Sequence, residues 1–274
     1  MNKNIKIENL HVANFITFLE NCDIKEHPQV LEFRESHMES RATPETKVFL
    51  RYSKCNIAGM MKLEKFDGIL KFKLYRLNKF IRTMNLFKQA GYTQIDGVIH
   101  YDVLGDNNYI SHIKLFSQDK KIKIDVKSSD VNVLEIPEHI FNKIADNSNY
   151  IFRFQLDSQE VSRLHDISSL TFADSTKAKA VGYFVMAIDK DKVVMKHHKN
   201  LWSITYDNNV HLNEGQSPQS FDITKSCMSY MNSALHTIYV MNNQISKGKS
   251  LMIVENDDLY TIYDLKDHDM ARYE

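Results

Sequence analysis

Four times along this chain an extended run gives way to apolar residues at helical spacing, and further extended runs follow. A strand buries every second side chain, whereas a helix buries a stripe with a period of about 3.6 residues, so a change of period marks a change of element. Repeated strand–helix–strands passages imply an α+β fold with antiparallel sheets, because short turns join the consecutive strands. The passages begin near Ile5, Leu70, Ile151 and Phe221, and such a recurrence at roughly 65 to 80 residues signals a structural repeat. The residues themselves do not match between passages.

The first passage opens at residues 5–10. Residues 11–21 then set Val12, Phe15, Ile16 and Leu19 at helical spacing, and extended runs at 47–53 and 57–63 follow a polar stretch containing Pro28 and Pro44. In the second, Leu70, Phe72, Leu74 and Arg76 alternate with Lys71, Lys73 and Tyr75 over 69–77. The period changes at Asn78, and Phe80, Ile81, Met84 and Phe87 define one helical face through Gln89. Gly91 should stop this helix, since glycine accepts the left-handed conformation that closes one. Extended runs at 93–101, 109–116 and 121–127 come next, separated by turn residues at 105–108 and 118–120.

The third passage reads as a strand at 150–156 and a helix at 157–168, with Val161, Leu164 and Ile167 inward and Asp157 or Ser158 as cap. Strands at 179–188, 192–196 and 201–206 follow. The fourth comprises 221–224, a short helix near 226–234, and strands at 236–241, 250–254 and 259–265. Between the second and third passages, residues 128–149 contain Pro137 and lack a clean period after Ile136, as a connector would. With 131–149 as the connector, the chain divides into 1–130 and 150–274.

Composition narrows the function. The 274 residues are 43% hydrophobic and 26% charged, with 13 Tyr and 15 Phe, as suits a strand-rich globular chain. Thirty-five basic side chains balance 35 acidic ones. A protein that grips phosphates tightly and without sequence preference carries a basic excess, so contact with DNA must be local or loose. Cys22, Cys55 and Cys227 are few and far apart, with neither disulfide nor metal-site spacing, which favours a reducing cytoplasm. No apolar signal segment follows Met1, and no stretch approaches the roughly 18 apolar residues of a membrane span.

In this order of elements the chain resembles the phage branch of the DNA sliding clamps, the polymerase processivity factors related to PCNA and the bacterial β clamp. The passages Lys71-Phe72-Lys73-Leu74-Tyr75-Arg76-Leu77-Asn78-Lys79-Phe80 and Phe152-Arg153-Phe154-Gln155-Leu156-Asp157-Ser158 carry the resemblance. The run from Leu251 to Tyr263 adds to it. The family has no signature motif, so the likeness is one of order and spacing over the whole chain. It implies a head-to-tail homotrimer, with strands outside and helices lining a hole that encircles duplex DNA. It also implies a DNA polymerase and a clamp loader as partners, no catalysis, no cofactor, no metal and no membrane. A viral source would place it in the cytoplasm of an infected host cell. Residues 21–47 and 137–149 look like insertions relative to a minimal phage clamp.

On this reading Lys79, Arg82 and Lys88 on the second helix, Arg163 on the third and Lys225 on the fourth face DNA. Glu20, Glu160 and Asp166 interrupt the pattern, so the basic bias is slight. Weak phosphate contacts without base readout suit a ring held by topology. Ring closure needs two open strand edges. The strand with Ile122, Ile124 and Val126 and the strand with Leu201, Trp202 and Ile204 are the expected pair, though each is equally readable as an ordinary sheet strand. The resemblance also implies a pocket for partner peptides beside the connector, for which Val133, Leu134, Ile136 and Tyr260 are candidates.

Other motifs fail on context. Gly248-Lys249-Ser250 imitates a phosphate-binding loop, but Asn243 stands where its first glycine belongs and a strand follows in place of a helix. Asp125-Val126-Lys127 suggests a metal-dependent nuclease if Asp96 or Asp102 supplied the second acid. His197 and His198 are neighbours on a strand and point to opposite faces, so with His211 they read as surface histidines. The competing functions are a processivity factor that holds DNA without closing a ring, and a phage structural protein with strand-rich domains. The helix after each opening strand argues against the second, and the zero net charge against the first.

Overall fold

The computed structural model describes residues 2–24, 27–43, 49–104, 107–130, 133, 138–146, 148–172, 183–189, 191–197, 202–214, 219–224, 231, 234–242, 250–256 and 259–267. The chain divides into two compact units, Met1–Ile136 and Pro137–Glu274.

The first unit runs β1 (Asn2–His11), α1 (Val12–Cys22), β2 (Gln29–Phe33), β3 (His37–Ala42), β4 (Phe49–Asn56) and the short β5 (Lys62–Leu63). It continues with β6 (Leu70–Leu74), α2 (Leu77–Gln89), β7 (Gln94–Leu104), β8 (Asn107–Ser117) and β9 (Lys123–Lys127). Its two halves exchange strands. β1 pairs antiparallel with β7, while β6 pairs antiparallel with β2. Each helix therefore crosses from one ladder to the other. The meanders β2–β3–β4 and β7–β8–β9 complete the ladders, and two parallel residue pairs, Leu70↔Asn108 and Lys71↔Tyr109, join them.

Side-chain parity fixes which face is covered. Ile5 and Ile7, Leu31 and Phe33, Leu70, Phe72 and Leu74, Ile95 and Ile99, and Ile113 and Leu115 enter one core with α1 and α2. Both helices thus lie on the same face of the strands. Phe80 packs edge-on to Phe15 of α1, at 5.6 Å, and to Phe72 of β6, at 6.1 Å. The register of β1 shifts between Ile7, opposite Gly97, and Leu10, opposite Ile95. This bulge moves the inward parity from Ile7 to Leu10 just before α1 begins. Asn9 at the bulge has φ 54°, and its N–H donates to Asp96 Oδ1 at 3.0 Å.

α2 ends as its sequence requires. Gly91 has φ 83°, its N–H donates to the Lys88 carbonyl, and the Tyr92 N–H donates to the Phe87 carbonyl at 3.0 Å. The Phe87 and Tyr92 rings meet edge to face at 6.5 Å, completing a Schellman cap with its apolar contact.

The stretch read as an insertion at 21–47 holds two sheet strands, β2 and β3. All five residues of β2 are buried. The charges that made it look like surface are satisfied within the sheet. Glu32 and Glu39 share Arg34 and Arg41 at 2.8 to 3.3 Å, and the Tyr52 hydroxyl donates to Glu39 at 3.0 Å. Burial would raise the Glu39 carboxyl, but Arg41 and Arg34 hold it below its ordinary range.

The second unit begins with α3 (Glu138–Ala145), a helix within the stretch read as connector. Then come β10 (Tyr150–Leu156), α4 (Ser158–Phe172), β11 (Tyr183–Asp189), β12 (Lys192–His197), β13 (Ser203–Tyr206) and the short β14 (His211–Leu212). The last elements are β15 (Ser220–Thr224), β16 (His236–Asn242), β17 (Ser250–Glu255) and β18 (Leu259–Asp267). The exchange recurs: β10 pairs with β16, and β15 with β11. The meanders β11–β12–β13 and β16–β17–β18 follow. Even the short strands correspond, since β5 pairs with β1 and β14 with β10. The helix expected near 226–234 lies largely outside the described residues. A capping box opens α4: Asp157 Oδ1 accepts from the Gln159 and Glu160 N–H groups at 2.8 Å, and Glu160 Oε2 accepts from the Asp157 N–H at 2.7 Å. Phe152, Phe154, Tyr206 and Phe221 stack in the core of this unit.

Candidate nucleic-acid interface and sheet edges

α2 buries Leu77, Phe80, Met84 and Phe87, which leaves Lys79, Arg82, Leu86 and Gln89 exposed on the opposite side. Its outward Thr83 and Asn85 side chains bond back to the helix carbonyls of Lys79 and Ile81. Lys79 and Arg82 are the long cationic groups left to reach outward, and α2 contains no acid to cancel them. Lys88 is exposed too, but stands about 180° round the helix from Lys79. In the last turn it meets the negative end of the helix dipole. The structure therefore separates Lys88 from the pair it was grouped with.

Two exposed residues that the sequence placed at the end of an extended run, and not among the DNA-facing groups, stand beside α2. Tyr75 and Arg76 precede α2, with the Arg76 guanidinium 5.5 Å from the Tyr75 ring centre. Helical-wheel reading from Asn78 onward left them out because they precede the helix. α1 adds no base: its exposed residues are Ala13, Asn14, Thr17 and Glu20. On α4, Arg163 is exposed but lies three residues from both Glu160 and Asp166, so its charge is locally cancelled. Lys225 lies outside the described residues. Among the described helices, a net positive charge is thus carried by α2.

β9 forms the outer strand of its meander and pairs with β8 alone among the described residues. Ile122, Ile124 and Val126 are half-buried against the core, while Lys123, Asp125 and Lys127 are exposed. The hairpin before β9 is tightly held. Asp119 Oδ1 accepts from the Ser117 hydroxyl at 2.6 Å and from the Lys121 N–H at 3.2 Å, and the Tyr92 hydroxyl donates to Asp119 at 2.9 Å. These donors, Ser117 first, hold the Asp119 carboxyl far below the usual carboxylate range.

β13 similarly pairs with β12 alone among the described residues. Ile204 is half-buried and Tyr206 buried, on the same parity as the half-buried Trp202, which packs against His197 at 6.2 Å. Leu201 lies outside the described residues.

Little of the expected peptide pocket is visible. Val133 is half-buried, Leu134 and Ile136 lie outside the described residues, and Tyr260 is paired through its backbone with Glu255, its side chain also outside them. Asp96, considered as a metal ligand, is the acceptor at the β1 bulge. Among the described residues no group of three or more His, Cys, Asp or Glu is arranged to hold a metal ion, and no helix is long and apolar enough to cross a membrane.

No protein-family model matches the chain, and no curated protein matches it.

Proposed function

We propose that this chain is one subunit of a ring-shaped DNA sliding clamp, a non-enzymatic processivity factor that encircles duplex DNA and tethers a polymerase. The carrying observation is the strand exchange repeated in both units, β1 with β7 and β6 with β2, then β10 with β16 and β15 with β11. A sheet built this way puts helices on one face and leaves β9 and β13 open at the ends of their meanders among the described residues, as a closed ring of such units requires.

Parity supports joining β9 of one subunit to β13 of the next. Ile122, Ile124 and Val126 turn to the core side of the first unit, and Ile204 and Tyr206 share one parity in β13. Antiparallel pairing across the subunit boundary would continue both sheets with their apolar sides aligned. Repeated head to tail, such pairing closes a homotrimer whose α2 helices turn Lys79 and Arg82 toward the DNA. Sequence-independent attraction to phosphates suffices there, because the ring itself prevents escape. A clamp loader would open the ring.

The test is mass in solution followed by topological retention. The expected species is three times 32.0 kDa. Loaded on a nicked circular plasmid, it should remain bound until the plasmid is linearised and then slide off. Trp202 is the sole tryptophan, so its emission should change as the trimer dissociates on dilution. A stable monomer, or retention indifferent to linearisation, would overturn the ring.

A further inference from the structure

The outward face of β7–β8–β9 carries a groove of about 490 Å³, whose β9 wall borders the edge proposed to join the next subunit. Cross-strand register builds it: Val98 stands opposite Lys114, Lys114 opposite Asp125, and Phe116 opposite Lys123. Val98 and Phe116 are half-buried on this face, whereas Lys114, Lys123 and Asp125 are exposed. Lys120, at φ 58° in the β8–β9 turn, closes one end. Three lysines against one aspartate leave the rim with two excess positive charges. None of these lysines makes an ion pair among the described residues.

An apolar floor inside a cationic rim selects a particular class of ligand. A volume of this size falls within the range of sites that seat one or two large side chains. Nucleic acid fits less well, because its phosphate backbone gains nothing from Val98 and Phe116. Carboxylates flanking an apolar anchor satisfy both parts of the surface.

We propose that this groove docks an extended, acidic segment of a partner protein, with an aromatic or branched apolar side chain on Val98 and Phe116 and flanking carboxylates on Lys114, Lys120 and Lys123. The site lies wholly within the first unit, and the β9 edge beside it keeps its free backbone groups for the proposed joint. An extended segment also suits the exposed sheet surface, where alternate side chains of the guest meet the groove and solvent.

The test is fluorescence anisotropy with a labelled nine-residue peptide bearing Phe-Leu at its centre and Asp or Glu elsewhere. The intact chain should bind it saturably. The double reversal Lys114→Glu with Lys123→Glu should weaken binding by about tenfold or more, and so should Phe116→Ala. Phe116→Leu, which restores an apolar floor, should recover most of the affinity and guards against a merely misfolded alanine variant. Lys65→Glu, an exposed lysine that does not line the groove, should leave binding unchanged. A (dT) oligonucleotide should not displace the peptide. The proposal falls if the peptide does not saturate, if Lys65→Glu weakens binding as much as the double reversal, if a peptide with Ala for Phe-Leu binds equally well, or if the oligonucleotide displaces it. Peptide binding is read by anisotropy and ring closure by mass in solution, so failure of one is distinguishable from failure of the other.

Discussion

The Tyr92 hydroxyl lies 2.9 Å from both carboxylate oxygens of Asp119, tying the residue after the α2 cap to the turn that presents edge strand β9. One hydrogen-bonded contact therefore links the helix carrying Lys79 and Arg82 to the strand proposed to close the ring. Tyr92→Phe should accelerate amide exchange at Ile122, whose N–H donates to the Ser117 hydroxyl, and Asp119→Asn should accelerate it further. The folded Asp119 carboxyl is lowered relative to the unfolded chain. Its contribution is present above the unfolded value, about 4, and is lost as pH falls from there toward the folded value. Asp119→Asn should remove that part of the acid sensitivity, as read by exchange at Ile122.

His100 and His112 stack across β7 and β8 with ring centres 4.2 Å apart and planes 15° from parallel. Burial lowers the His100 value, and the charges of His112 and Lys114 lower it further. The unfolded chain then binds this proton at higher pH than the folded one, so stability rises with pH between the lowered folded value and about 6.5. His37 is lowered in the same direction and adds to the effect. Thermal melting should therefore rise from pH 5 to 7, and His100→Asn should flatten the rise without abolishing it.

Gly97 permits the close approach of β7 to β8. A Cβ there would lie 2.7 Å from the Lys114 carbonyl oxygen and 2.9 Å from Leu115 Cδ2. Backbone in a paired strand cannot give way cheaply. Gly97→Ala should cost about 1–3 kcal/mol, measured as a lower denaturation midpoint at unchanged slope.

Lys79 and Arg82 share an exposed face, from which Lys88 is turned away. Replacing both with alanine should leave the assembly and its melting temperature unchanged and reduce retention on DNA. If each meets one phosphate in all three subunits, six contacts are lost and the slope of log affinity against log salt should shrink by about 5. Lys88→Ala should change that slope less, which a salt titration on duplex DNA would measure.

Local chemistry was legible in the sequence. The switch from alternation to helical spacing after Leu74, the stop at Gly91 and the Asp157 cap depend on neighbours within about one helical turn, and α2 and α4 follow from them. β2 and β3 were not legible, because Glu32, Glu39, Arg34 and Arg41 look like a solvated stretch until a sheet brings them together. α3 was missed for its length, since eight residues give a helical period little more than two turns in which to show.

By itself, the sequence determined the opening strand of each passage, the Gly91 and Asp157 caps and the alternation of β6, all set by backbone geometry and the spacing of apolar side chains. Only the tertiary structure decided that β1 reaches β7 and β6 reaches β2, that β9 and β13 end their meanders, and that Lys88 stands apart from Lys79 and Arg82. Those outcomes depend on which edges meet across long stretches of chain. A strand's own residues specify its buried face but not its partner.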